Sequence, residues 1–252
     1  MSIDQLTRPS TTAQGLSATT GRRLGLFLAN WLIPRFGVRQ YVAYLLGCVG
    51  FSFGVVCFAW AGLGADPLYV FSTGIQKVLS FVTSYAVAEG GFAAVMLAIW
   101  AVWNKKIPIL SPFVTFVLCG RLIDFGKKHE LASYVPYTKW PLMLTAVVLC
   151  AYASSLIIMS GIGIRAIDLV AITMVQKFKK EFWIFKTLLE VLILFSGWLM
   201  LGRPGIKLRP GVGVVMGVGT LFFVVFVDLL IQPFMAANAN YLKMKNHGLR
   251  GD

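Results

Sequence analysis

Runs of about twenty apolar residues recur along this chain, and they set its solvent before they set its fold. They fall at 41–63, 84–103, 107–125, 140–162, 182–202 and 210–234. A helix of roughly 17–25 apolar residues crosses the hydrocarbon of a bilayer. Lipid offers the backbone no hydrogen bonds, so spanning segments must satisfy their amides internally. The third run is the shortest and carries Arg121 and Asp124 near its end. Only 13% of the residues are charged, where a soluble domain has about 25%. The sequence predicts an all-α polytopic membrane protein with six full spans.

Two further apolar stretches, 66–82 and 165–176, are spotted with polar residues. The first holds Asp66, Ser72, Thr73, Gln76 and Lys77; the second holds Arg165, Asp168, Thr173 and Gln176. The second is too short for an ordinary span. Broken or re-entrant helices are expected here, tolerated at membrane depth where protein or water covers the backbone. If both crossed instead, the chain would have eight spans.

Positive charge collects at span ends. With six spans and a cytoplasmic N-terminus, the cytoplasmic segments hold fourteen lysines and arginines and the outer segments seven. That bias favours both termini on the cytoplasmic side of a bacterial inner membrane. The same distribution explains the net charge of +13 without nucleic acid. Residues 1–20 are polar and expected to be disordered, with no cleavable signal pattern. Residues 21–40 are expected to form an interfacial amphipathic helix. Residues 41–128 and 137–235 form two membrane units joined by a linker at 129–136, and 236–252 is a basic tail.

Six of the ten acidic residues lie in or beside the apolar stretches, three in each half. Asp66, Glu89 and Asp124 in the first half match Asp168, Glu190 and Asp228 in the second, at similar spacings. A carboxylate in hydrocarbon is penalised by roughly 2.5–3.5 kcal/mol on insertion scales, so it faces protein, water or a ligand. The halves also align as AGLGADPLYVFSTGIQK (61–77) against SGIGIRAIDLVAITMVQK (160–177). Asp66 and Asp168 fall out of strict register in that alignment. Duplication, with three spans and one short helix per half, is the predicted organisation. Odd numbers of spans per half would make the repeats inverted.

At these residues the chain resembles the YczE/YyaS/YitT family of bacterial integral membrane proteins, most of all its YczE branch. The resemblance rests on GLGADP at 62–67, RLID at 121–124, FKTLLE…GW at 185–198 and the glycine-rich 211–220. It covers most of 41–235. Leu68-Tyr69 stands where the family tends to have Trp-Asp, and Lys186 where it tends to have Arg before Thr187. The second turn reads Ile164-Arg165-Ala166-Ile167-Asp168 in place of the usual Gly-Pro-Arg-Asp. The resemblance implies fold and membrane location and says little of chemistry.

Glu89 and Glu190 each sit about six residues into a span. Lys186 precedes Glu190 by four, on one helix face, and can neutralise it. Glu89 has no such helical neighbour, which marks it for proton coupling; its plain alternative is a hydrogen bond between helices. Arg121 and Asp124 share a face, where they can pair and snorkel. Asp228 can pair with Lys186 or Arg121. Asp66-Pro67 is a helix start, with Asp as N-cap and Pro at the first helical position. Interrupted helices at matching places in two halves point to a transporter's binding site, which Thr73, Gln76, Thr173 and Gln176 could line. Gly90-Gly91 and the glycines of 211–219 suit close helix packing. Six tryptophans, among them Trp60, Trp100 and Trp140, suit an interfacial belt.

The four cysteines read as buried small hydrophobes, and no metal-ligand spacing or cofactor motif occurs. The expected function is ion- or proton-coupled secondary transport of a small polar solute. Its partners are the bilayer, the solute and protons, with a homo-oligomer allowed and no enzymatic activity. The competing reading is a membrane accessory protein that docks a partner through 21–40 and the tail. An intramembrane enzyme fits least, for want of a nucleophile and base.

Overall fold

The computed structural model describes residues 37–105, 110–131, 139–202 and 216–242. The expected disordered N-terminus, most of the interfacial helix and of the linker, the glycine-rich 211–215 and the tail beyond 242 lie outside the described residues. Eight helices are described: α1 (Val38–Trp60), α2 (Pro67–Val78), α3 (Tyr85–Asn104), α4 (Ser111–Lys128), α5 (Lys139–Ser160), α6 (Ala166–Phe178), α7 (Phe182–Leu201) and α8 (Val218–Leu242). No strand occurs among the described residues.

Five helices are long and apolar enough to cross a membrane: α1, α3, α5, α7 and Val218–Ala239 of α8. The sequence counts six. The sixth run does form a helix, α4, but its last two turns carry Arg121, Asp124, Lys127 and Lys128. The short helices are where the sequence puts them. At 1.5 Å per residue, the 12 residues of α2 and 13 of α6 are far too short for the roughly 30 Å of hydrocarbon. Protein covers their first turns: every residue of 161–173 is buried, as are Pro67, Tyr69, Val70, Ser72 and Gly74 of α2.

The chain wears its apolar side chains outward. Leu45, Leu46 and Val49 on α1, and Leu192, Phe195 and Leu199 on α7, are exposed. In water such a surface would drive association; lipid solvates it at no cost.

Helices then pack through small residues, because lipid gives them no hydrophobic drive to associate. α1 lies along α5, and α1 also meets α4 while α5 meets α8. On α1, a Cβ at Gly54 would stand 2.6 Å from Cys150 Sγ, and one at Gly47 2.9 Å from the Ala153 carbonyl oxygen. α2 lies along α7, where a Cβ at Gly197 would stand 2.8 Å from Phe71 Cα. The remaining pairings are α2 with α3, α6 with α7, α3 with α6, α3 with α4, α7 with α8, and α4 with α6. Gly91 departs from the expected packing role: a Cβ there meets nothing within 4 Å. Trp100 departs from the interfacial belt. It is buried, and its indole donates to Thr173 Oγ1 at 2.9 Å.

The two turns that open α2 and α6 position the interior. Gly62 and Gly161 both adopt φ 68, a left-handed conformation that suits glycine. Each turn is held by a threonine from the last helix of the other half. Thr220 of α8 accepts from Ala65 N at 3.2 Å. Thr115 of α4 donates to the Gly163 carbonyl at 2.9 Å and shares a 2.9 Å hydrogen bond with Tyr44 of α1.

Candidate binding site in the polar interior

Five acidic and two basic side chains are buried among the described residues: Asp66, Glu89, Asp168, Glu190 and Asp228, with Arg165 and Lys186. Burial of an ion costs several kcal/mol unless other groups offset it.

The second half gathers most of them. Lys186 and Glu190 lie one turn apart on α7, and their side chains are in direct contact as an ion pair. Lys186 Nζ also stands 3.1 Å from Asp228 Oδ1 on α8 and 3.6 Å from Asp168 Oδ1 on α6. The other oxygen of Asp228, Oδ2, accepts from Thr187 at 3.0 Å. Asp168 is shared. Arg165 Nε donates to its Oδ2 at 2.8 Å, and Arg165 also lies over the Phe51 ring at 4.5 Å. Of the two partners the sequence allowed for Asp228, the structure selects Lys186.

The first half supplies Asp66 and Glu89. Asp66 caps α2, with Oδ2 accepting from Tyr69 N at 3.3 Å and Pro67 following at the first helical position, as the sequence predicts. Its Oδ1 meets no donor. Glu89 is buried on α3, as expected, and neither a hydrogen bond nor an ion pair to it is found among the described residues. Asp66 lies within electrostatic reach of Arg165 and Lys186, and Glu89 within reach of Asp66 and Arg165. The seven buried ions therefore belong to one interior.

The other expected site residues make their contacts elsewhere, although Asp124 too lies within electrostatic reach of Glu89. Asp124 does not pair with Arg121, which is exposed. Its two oxygens instead accept from Tyr85 N at 3.0 Å and Ala86 N at 3.3 Å, capping the start of α3 from across the bundle. Free amides at a helix start draw a carboxylate more strongly than an arginine whose head can reach the surface. Gln176 is exposed on the last turn of α6. Gln76 is half-buried with its amide nitrogen unpartnered. Thr73 and Thr173 each donate back to the carbonyl four residues earlier, and each also meets a ring of α3, Tyr85 or Trp100.

Arg165 is the buried ion that the sequence reading did not single out as a site residue, naming it only among the polar residues of the second short stretch. The signal was present. Arg165 follows Gly161 by four, as Asp66 follows Gly62, and each occupies the N-cap of its short helix. The counterpart of Asp66 is thus Arg165, of opposite charge, and Asp168 lies one turn further on. A second missed group is the stacked pair Tyr69 and Tyr85, centroids 4.6 Å apart, with Lys127 Nζ 4.3 Å above the Tyr85 ring.

The four cysteines are free and buried, as expected. Among the described residues no group of three or more His, Cys, Asp or Glu side chains is placed to hold a metal ion. An interior of this kind can accept protons or a positively charged group.

Spanning helices around a buried ionic interior define an integral membrane protein. The chain belongs to the family of unknown function DUF6198, whose model matches residues 38–236. No curated protein and no solved structure matches it.

Proposed function

We propose that this protein is a secondary transporter of a small polar solute, coupled to protons or another ion, with its site between two repeats. The observation that carries this reading is the excess of buried carboxylates over buried cations among the described residues, with no hydrogen bond or ion pair to Glu89 found there. Intramembrane ionisable groups without structural partners mark ion and substrate pathways. Glu89 and Glu190 are the coupling and contact groups, backed by Asp66, Asp168 and Asp228.

Duplication is supported at three levels. One long helix, one short helix and two long helices follow in the same order in both halves, α4 at 18 residues being the shortest of the long ones. All but one of the helix pairings, α4 with α6, recur when the halves are exchanged. The reciprocal threonine contacts to the two turns are a third parallel. In this reading α4 crosses as well, its charged end snorkelling, so each half has three spans and one short helix. The charge bias then puts both termini in the cytoplasm of a bacterial cell. The resemblance to the YczE branch of the YczE/YyaS/YitT proteins is part of the same proposal. No enzymatic step or cofactor is assigned, and nucleic acid is not a partner.

The test is uptake into proteoliposomes loaded with a pH dye and offered a panel of metabolites. At least one solute should move protons with it, and Glu89→Gln should abolish the coupled flux. Absence of flux for every solute, together with a silent Glu89→Gln in cells, would leave the accessory role.

A further inference from the structure

Among the described residues, neither Asp66 nor Glu89 forms an ion pair. Asp66 is 4% exposed and Glu89 3%. The two buried cations are engaged elsewhere: Arg165 with Asp168 and the Phe51 ring, Lys186 with three carboxylates of the second half. Among the described residues, Asp66 Oδ1 has no donor and no hydrogen bond to the Glu89 carboxylate is found.

The fold brings these two groups beside one pair of rings. α2 and α3 are joined by the short segment 79–84 and pack against each other. Tyr69 stacks on Tyr85, and Thr73 Oγ1 lies 3.0 Å from the Tyr85 hydroxyl. Asp66 precedes Tyr69 by about one helical turn, and Glu89 follows Tyr85 by about one turn. Each carboxylate thus lies about one turn from the same stacked tyrosine pair, and Glu89 is within electrostatic reach of Asp66.

We infer that Asp66 and Glu89 form the binding site for the ammonium group of a small organic solute. The inference deepens the transport reading and rests on it for taking the polar interior as a solute site. Two carboxylates supply the charge. The surroundings decide the class of cation. Tyr69, Tyr85 and Phe92 each lie about one helical turn from one of the two carboxylates and offer ring faces and edges, which suit an ammonium carried on an alkyl chain. A bare alkali ion would need a shell of oxygens in their place. The tyrosine pair already receives an ammonium in this structure: Lys127 Nζ stands 4.3 Å from the Tyr85 centroid and 5.2 Å from that of Tyr69, and donates to the Tyr85 hydroxyl at 3.2 Å. One turn deeper, the carboxylates offer the same group a full counter-charge.

The experiment is thermal unfolding of the purified full-length protein at constant ionic strength. The probes are n-butylammonium chloride, sodium chloride, potassium chloride and sodium butyrate. Butylammonium should raise the Tm saturably, while the other three do not. Glu89→Gln and Asp66→Asn, which keep shape and capping, should each raise the half-saturating concentration at least tenfold. Glu89→Asp should retain a saturable shift, and Glu181→Gln on the surface should match the parent. Equal shifts with sodium, no shift at all, or a shift that survives in Glu89→Gln would each overturn the inference. Binding of butylammonium without flux in proteoliposomes would sink the transport reading and keep this one. Proton-coupled flux of an uncharged or anionic solute, with no butylammonium shift, would do the reverse.

Discussion

One ammonium answers three carboxylates in this protein. Lys186 is fully buried and contacts Asp168, Glu190 and Asp228 from three different helices. Removing one partner of a buried ionic cluster leaves charge without compensation, at a cost of about 3–5 kcal/mol. Lys186→Met should therefore lower stability by that order in denaturant titrations of the micellar protein. Adding Asp228→Asn to Lys186→Met should recover part of the loss, since one stranded carboxylate is then neutral. Equal stability of Lys186→Met and parent would mean that the cluster is hydrated and not an ionic core. The Lys186–Glu190 half of this cluster was legible in the sequence because four residues is one helical turn. Asp168 and Asp228 were legible as candidates only, since which of them reaches Lys186 depends on how three helices pack. Arg165 was misread for a local reason: two glycines and a basic residue look like a loop, and only the buried turn makes it an interior charge. Arg121 and Asp124 were misread because helical spacing says nothing of the free amides at the start of α3.

At the scale of elements, close approach of backbones sets the architecture. The α1–α5 contact leaves no room at Gly54, whose Cβ would collide with Cys150 Sγ and lie 3.4 Å from the Ala146 carbonyl oxygen. Gly54→Val should cost about 1–3 kcal/mol through overpacking. Gly91→Ala is the contrast: open space lies around it, and alanine is the better helix former by about 0.5–1 kcal/mol. It should leave the Tm unchanged or raise it. A comparison of the two variants by thermal unfolding checks the packing directly; a loss at Gly91 or none at Gly54 would contradict it. The long helices were readable from apolar run length. The short ones were readable from the polar residues that interrupt them. α4 was harder, because its apolar first half reads as a span and its charged end does not.

For the whole molecule, the arrangement joins an outer surface suited to lipid with an interior that holds more negative than positive groups. Ion pairs hold the second-half cluster, and among the described residues they leave over Asp66, which caps α2, and Glu89, which has no such role. That residue carries the functional claim, and the sequence singled it out because it has no helical partner. The most direct measurement is capacitive current from the reconstituted protein on a solid-supported membrane during rapid solute exchange, beginning with butylammonium and continuing through a metabolite panel. The account predicts a saturable transient current in the parent and in Glu181→Gln, and none in Glu89→Gln. Current of equal size in Glu89→Gln, or none in the folded parent with any solute, would contradict it.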